Sequence, residues 1–528
     1  MSAEKLITDH IDIWTSAVQA KSASGRGSSK KRELYGIKKL RELILDLAVR
    51  GKLVPQDPSD EPASVLLDKI KAKKEQLLKD GTLKKLKKAK VHEAVLTGEN
   101  KPNGWVAVDF GDITFNLDAK RIPLSVNERK GRQGEYDYYG ASGVIDSIDD
   151  YLFDKPLLLI GEDGANLVNR STPIAFMARG KYWVNNHAHV IDGISEDFLI
   201  YLSLYVNSIS LIPYITGMAQ PKMNQAKMNA ILVLLPPENE QRRIIAKVDE
   251  LMALCDQLEQ QTEASLDAHQ VLVETLLATL TNSQNATEQM ANWGRISEHF
   301  DTLFTTEQSI DQLKQTILQL AVMGKLVPFG SNTEKGGLKK FLSFGPRNGY
   351  SPKEVKSDTG VKVLKLGATS YGSLDLNESK SVDVDIERDS HLWLNKGDIL
   401  IQRGNSANYV GCNCLVEEDV SGVIYPDLMM KIRPSDITSS EFLSMWLSSP
   451  MAREFMWSRM TGTSGTMPKI SKKVVESIPI VMPSRQTQDS IVAKAQDLLS
   501  ICEHLKQRIR DIQQTQLQLT DTIVEQAL

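Results

Sequence analysis

The sequence of 528 residues predicts an α+β fold laid out as a pseudo-two-fold internal repeat: two β-rich α/β units separated by long antiparallel coiled-coil helices. Three observations carry that prediction. The segment Leu40 to Pro55 is written again at Leu313 to Pro328, with 11 of 16 positions identical, far more than shared helical composition produces. Two stretches, 104–237 and 331–484, consist of short apolar runs broken by turn residues. Each is followed by a heptad seam, and the seams lie 247 residues apart: Leu251 matches Leu498 and Cys255 matches Cys502. The same offset links Pro221-Lys222 to Pro468-Lys469 and Pro236 to Pro483.

Taken in order, residues 1–103 form a helical region with a basic linker. Ile7 to Asp12 is echoed at Ile296 to Asp301, and Ser22 to Ser29 reads as a loop inserted in the first copy. In both copies of the repeated segment a helix runs into glycine and then Lys-Leu-Val-Pro. Glycine caps such a helix and proline forbids its return. A basic helix is expected over Val65 to Lys90. Its run Lys84, Lys85, Lys87, Lys88 and Lys90 has the charge to hold phosphates, although such runs are more often solvated faces.

In 104–237, strands are expected at Trp105 to Phe110, Leu157 to Ile160, Ile174 to Met177, Trp183 to Val184, Val190 to Ile191 and Ile231 to Leu235, with a helix from Asp197 to about Ser210. Residues 238–330 begin as a long helix whose seam is Ile244, Val248, Leu251, Cys255 and Leu258, and end in the second copy of the repeated block. In 331–484 the expected strands are Val361 to Leu366, Asp398 to Ile401, Cys414 to Val416, Leu428 to Ile432 and Ile478 to Met482, with a helix at Ser440 to Trp457. Residues 485–528 form the closing helix, with Ile491, Ala495, Leu498, Cys502, Leu505, Ile509 and Ile512 on its seam. A heptad helix cannot bury its seam alone, so the two equivalent helices are expected to pair antiparallel and hold two heads apart. Paired heads at a fixed separation suit a two-part DNA target.

Composition is that of an ordinary globular protein, with 41% hydrophobic and 25% charged residues and a net charge of −4. Residues 1–103 hold 22 Lys/Arg against 14 Asp/Glu, and the remainder holds 41 against 53. That balance argues against indiscriminate polyanion binding. The N-terminus lacks the layout of an export signal, and no apolar run is long enough to span a membrane. Cys255, Cys412, Cys414 and Cys502 are too few and scattered for a disulfide framework, so free thiols are expected.

Motifs throughout the chain resemble the specificity subunit of type I restriction–modification systems. They are the repeated Gly-Lys-Leu-Val-Pro, Asp60 to Ser64, Pro102-Asn-Gly-Trp105, Gly111-Asp112-Ile113, Tyr138 to Gly143 and Ile160 to Asn166. Trp183 to His189, Lys396 to Leu400 and Leu235-Pro-Pro-Glu-Asn-Glu-Gln241 complete them in the family's order. The resemblance implies two target-recognition domains, each reading one part of a split sequence in double-stranded DNA, with helices that set the spacer. It further implies docking of two modification subunits, which methylate adenine using S-adenosylmethionine, and association with restriction subunits that use ATP and Mg2+. On that implication this chain binds no cofactor, catalyses nothing and resides in a bacterial or archaeal cytoplasm. One departure is Pro483 to Gln488, Pro-Ser-Arg-Gln-Thr-Gln, where the family has Pro-Pro-x-x-Glu-Gln.

Rival readings are a self-contained nuclease or methyltransferase and a coiled-coil adaptor that binds protein only. The one Pro-Pro, at 236–237, lies in Leu-Pro-Pro-Glu rather than in a methyltransferase motif, and Gly25 to Lys30 lacks phosphate-loop spacing. Pro426-Asp427 with Glu354 and Lys356 has reversed order for a nuclease. Glu162 and Asp163 read as a turn, and His187 with His189, expected on one strand face, lack a third metal ligand; no metal site is expected. Base edges and phosphates require Asn, Gln, Arg, Lys, Ser and Thr on loops. Candidates in the first head are Tyr138, Tyr139, Ser142, Asn166, Arg170, Asn185, Asn186, His187, Thr216, Gln220 and Lys222. Those in the second are Arg403, Asn405, Ser406, Asn408, Tyr409, Thr461, Thr463 and Lys469.

Overall fold

The computed structural model describes residues 3–21, 31–84, 101–217, 220–370, 372–462 and 467–528. Its chain divides into two compact units. The first holds Met1–Gln19, Arg32–Thr262 and Thr515–Leu528; the second holds Ala20–Lys31 and Glu263–Gln514. Each unit therefore combines one head with helices, and each long helix, Glu238–Asn282 and Arg485–Ala527, contributes to both.

In the first unit the repeated segment forms the helix Tyr35–Val49, which buries Ile37, Leu40, Leu43, Ile44, Leu47 and Ala48. Gly51 ends it at φ +68°, and the Lys52 amide donates to the Leu47 carbonyl at 2.9 Å. The second unit repeats this end in Glu307–Val322, where Gly324 also has φ +68° and Lys325 donates to Leu320 at 2.9 Å. Both ends are the bonded left-handed cap that the glycine predicts.

Each seam is buried in whole or in part, and the repeated helix of the same unit lies against it. Ile244, Val248, Leu251, Cys255 and Leu258 are buried in the first unit. There the Arg41 guanidinium, on the repeated helix, reaches Asp256 at 2.6 Å and Glu259 at 2.8 Å, just beyond the seam. The Tyr35 hydroxyl donates to Asp521, at the far end of the closing helix. In the second unit Ile491, Ala495 and Cys502 share one core with Ile310, Leu313, Ile317, Val273 and Leu277, and Leu498, Leu505 and Ile509 pack against it. Lys314 pairs with Glu503, Lys506 with Asp311 at 2.8 Å and Arg510 with Glu307 at 2.8 Å across that contact. Each unit thus holds a repeated helix against the first part of one long helix and the last part of the other. A heptad stripe specifies an apolar partner but not which one.

Gln241 and Gln488 hold the starts of the long helices, each donating from Nε2 at 2.9 Å to the carbonyl of Pro236 or Pro483. The departure at 483–488 changes what surrounds that bond. Glu240 is buried and accepts from Trp105 Nε1 at 2.9 Å, whereas its counterpart Thr487 hydrogen-bonds with Ser484.

The heads share one topology. In the first, a four-stranded antiparallel sheet runs Phe115–Asn116, Ala188–Asp192, Leu157–Gly161, Ala175–Ala178. A three-stranded sheet runs Gly143–Ile148, Tyr136–Gly140, Tyr182–Val184, its last pair parallel, and Val106–Asp109 pairs with Leu232–Leu235. The second head repeats all three. Its sheets are Leu342–Asn348, Met429–Pro434, Ile399–Gln402, Asn413–Leu415, then Ser379–Ser381, Lys362–Leu364, Val423–Ile424, and the pair Glu334–Gly337 with Pro479–Met482. A serine-capped helix packs on each: Ser195 accepts from Phe198 ahead of Glu196–Ser208, and Ser439 from Phe442 ahead of Ser440–Ser448.

Two helices differ from expectation. The basic helix is Ala63–Lys79, stopped before Gly81 at φ +72°; lysines 85, 87, 88 and 90 lie outside the described residues, as does the Ser22 to Ser29 insertion. The helix expected over Ser440 to Trp457 is two, because Pro450 has no amide to continue the ladder and Ser449 caps a fresh helix, Pro450–Trp457.

Candidate nucleic-acid interface

In each head the buried central strand of the four-stranded sheet ends in a loop, and a two-armed hairpin is bonded to that loop. In the first head the arms Thr216 and Lys222 exchange backbone bonds at 2.8 and 2.9 Å. Gly164 donates to the Pro221 carbonyl at 3.0 Å, and Met223 donates to the Glu162 carbonyl at 2.8 Å. The second head has the same four bonds. Thr461 and Lys469 exchange two at 2.9 and 2.8 Å, Asn405 donates to Pro468 at 3.4 Å, and Ile470 donates to Arg403 at 2.8 Å. The shared Pro-Lys pair thus has a cause: proline presents its carbonyl to the loop amide without a competing donor.

The exposed candidates of the first head are Ser142, in the turn after Tyr136–Gly140, Asn186 and His187 before the strand Ala188–Asp192, and Thr216, Gln220 and Lys222 on the hairpin. His187 Nδ1 lies 2.8 Å from the Asp163 carboxylate. It precedes the strand that holds His189, so the two histidines do not share a strand face as expected; His189 is buried.

Other first-head candidates are occupied within the fold. Tyr138 is fully buried, and its hydroxyl accepts from the Leu124 amide at 3.0 Å. Tyr139 stacks on Phe176 and meets Tyr182 edge-on. Asn166 accepts from Ser171 and Thr172 and donates back to the Thr172 carbonyl, closing its loop. Arg170, at φ +49°, donates to the carbonyls of Val206 and Ile209 at the end of the head's helix, and burial lowers its pKa. Asn185 is buried and accepts from the His187 amide at 2.8 Å.

Beneath the hairpin lies an ionic cluster that ties the candidate Lys222 to groups that were not among the candidates. Arg121 reaches Glu162 at 2.8 Å, Asp118 at 3.5 Å and the Ala188 carbonyl at 2.7 Å. Lys222 lies 3.2 Å from Glu162, and His189 lies 2.7 Å from Asp118. Burial pushes Glu162 upward, but the Arg121 hydrogen bond and the His189 charge hold its pKa below the ordinary carboxylate value. Asp118 is likewise raised by burial and more strongly lowered by His189 and Arg121. The signal for this cluster was Glu-Asp beside His-x-His, which spacing alone does not connect to Asp118 and Arg121.

In the second head, Arg403 occupies the position of Glu162 and Gly404 that of Asp163, so the same scaffold carries a cation in place of two acids. Asn405 donates to Gln402 Oε1 at 2.7 Å, and Gln402 in turn donates to the Leu366 carbonyl. Ser406 precedes the short turn Ala407–Tyr409 and accepts from the Tyr409 amide through its carbonyl, with Asn408 exposed and Tyr409 half-buried. Thr461 and Lys469 are exposed on the hairpin arms; Thr463 lies outside the described residues. Among the described residues no three His, Cys, Asp or Glu side chains gather as a metal site.

A family model described as the type I restriction modification DNA specificity domain matches this chain twice, at residues 102–268 and 334–514. Each match spans one head and part of the long helix after it. Over the full length of both chains, the sequence is 36% identical to the specificity subunit of the type I restriction enzyme EcoEI and 34% identical to that of EcoAI, both from Escherichia coli. A solved chain from a study of assembly and conformational transition in a type I R-M system aligns at 15% identity and a TM-score of 0.46, covering 81% of this chain and 98% of that one.

Proposed function

The chain belongs to the type I restriction–modification DNA specificity family, and from that premise we propose that it is the non-catalytic subunit that selects the DNA sequence on which its partners act. Residues 104–237 read one part of a two-part target and residues 331–484 read the other. The long helices fix the spacing and dock two modification subunits. Those subunits supply adenine methylation from S-adenosylmethionine, and restriction subunits supply the ATP- and Mg2+-dependent steps. All of this takes place in the cytoplasm; no helix among the described residues is long and apolar enough to cross a membrane.

One observation carries the reading. Two heads of equal topology bond a hairpin to the end of their central strand in the same way, yet present different chemistry there, Glu162-Asp163 against Arg403-Gly404. A constant scaffold with variable tips suits two readers of different sequences. Exposed amides and hydroxyls on Asn186, Gln220, Thr216 and Asn408 suit base edges, and Lys222 and Lys469 suit phosphates. With a net charge of −4, the chain relies on few phosphate contacts and on its partners for affinity.

The test is methylation mapping of a host that carries this chain with its modification subunit. The expected result is adenine methylation confined to one split, asymmetric sequence, with no methyl transfer or cleavage by the purified chain alone. Methylation scattered without a common sequence, or cleavage by the chain alone, would overturn the assignment.

A further inference from the structure

We propose that His189 is a charged positioning residue whose proton fastens the hairpin of the first head, so that alkaline pH weakens reading of one half-target and spares the other. The inference rests on the first head being a DNA reader. His189 is 1% exposed, and both ring nitrogens face acceptors. Nδ1 lies 2.7 Å from Asp118 Oδ2, and Nε2 lies 2.9 Å from the Met223 carbonyl. A neutral imidazole has one N–H and would leave a lone pair against one of these oxygens; only the imidazolium donates to both.

Neither acceptor is free to turn donor. Met223 contributes a backbone carbonyl. Asp118 accepts from the Val190 amide through its other oxygen at 2.8 Å and lies beside Arg121 at 3.5 Å, both of which favour its ionised form. The remaining charged neighbours are Glu162, 3.8 Å from His189, and Lys222, which pairs with Glu162. With His189 protonated, the cations His189, Arg121 and Lys222 face the carboxylates of Asp118 and Glu162.

The consequence for the hairpin follows from Met223, the residue after Lys222. Its amide donates to the Glu162 carbonyl, just past the strand Leu157–Gly161, and its carbonyl accepts from His189 on the neighbouring strand Ala188–Asp192, so the arm is stitched to two paired strands. Loss of the proton removes one stitch. Burial lowers the pKa of His189, but the Asp118 hydrogen bond and charge, Glu162 and the Met223 carbonyl raise it more, to a net value above the ordinary 6.5. The contribution is therefore complete below that ordinary value and is lost as pH rises through the raised one. In the second head Met430 stands at this register, opposite Ile401 as His189 stands opposite Ile160, and it does not titrate.

The test uses the complex assembled with modification subunits and the target found by methylation mapping. Binding to that duplex is compared with binding to duplexes changed in either half, from about pH 6 to about pH 9. The expected result for the native protein is a roughly tenfold loss of discrimination in the first head's half as pH rises, with the second half unaffected. His189→Gln should show the reduced discrimination at every pH, and Asp118→Asn should move the loss to lower pH. Should His189→Gln fail to fold, Asp118→Asn decides alone. Equal decay in both halves, or an unchanged profile in these variants, would overturn the inference while leaving the reading of the heads intact. If base changes in the half assigned to the first head alter binding at no pH, the DNA-reading assignment falls and this inference with it.

Discussion

Asp398 and Lys431 make the most demanding stability prediction. Their side chains are 0% and 2% exposed, with Lys431 Nζ 3.0 Å from the carboxylate and 2.6 Å from the Trp393 carbonyl. Arg433 Nε and the Asn395 amide satisfy the rest of Asp398, at 2.7 and 3.0 Å. Phe344 and Tyr425 lie against the ammonium, 5.5 and 5.7 Å from ring centre to Nζ. Asp398→Asn would leave a buried ammonium without its counter-charge, a change that costs about 3–5 kcal/mol. Burial already lowers the Lys431 pKa, against the opposing pull of Asp398, so release of the proton limits the cost to the lower end, about 3 kcal/mol. Each kcal/mol moves the midpoint by about 2–4 °C in a unit of this size.

Calorimetry should therefore show the second unit melting about 6–12 °C lower, with the first unit's transition in place. Without Asp398 the folded state holds fewer protons on Lys431 than the unfolded state, so the stability of Asp398→Asn should rise with pH towards the ordinary lysine range. A paired replacement, Asp398→Leu with Lys431→Met, should recover most of the loss. An Asp398→Asn variant that melts within a degree of the native chain at neutral pH would refute the reasoning.

Truncation of the duplicated helices should cost about 2–5 kcal/mol at either copy, since Leu40 and Leu313 are 0% and 4% exposed, and denaturant melts of Leu40→Ala and Leu313→Ala measure it. Gly51→Ala should be worse than Gly324→Ala. Both glycines have φ +68°, which costs an alanine about 1–2 kcal/mol, but only at Gly51 would the added carbon lie 2.5 Å from a Pro102 ring carbon. Lys222→Ala should lower the salt slope of DNA binding by about 0.9 while leaving the sequence preference unchanged, as titration of the assembled complex at several salt concentrations would reveal.

The duplicated helix, its glycine cap and the long helices were legible in the sequence because each rests on local spacing. The strands buried on both faces, such as Leu157–Gly161 and Ile399–Gln402, were legible for the same reason. The hairpin Tyr136–Gly140 with Gly143–Ile148 was not: its strands carry Asp137, Asp146 and Ser147 and expose Val144 and Ile145, so their apolar pattern is broken. Among the candidate residues, residue type alone did not separate outward from inward groups. Asn186 and Asn185 are neighbours, yet one is exposed and the other closes a turn. Arg170 resembles a phosphate contact in sequence and serves instead as the cap of a helix more than thirty residues downstream. The cluster of Asp118, Arg121, Glu162 and His189 is assembled by sheet pairing between distant segments, information that a single sequence does not display.

Exchange of residues 104–237 for the same span of a relative, followed by methylation mapping, tests the central claim most directly. The account predicts that one half of the methylated sequence changes while the other half and the spacer persist. A methylome that is unaltered, or altered in both halves, would contradict it.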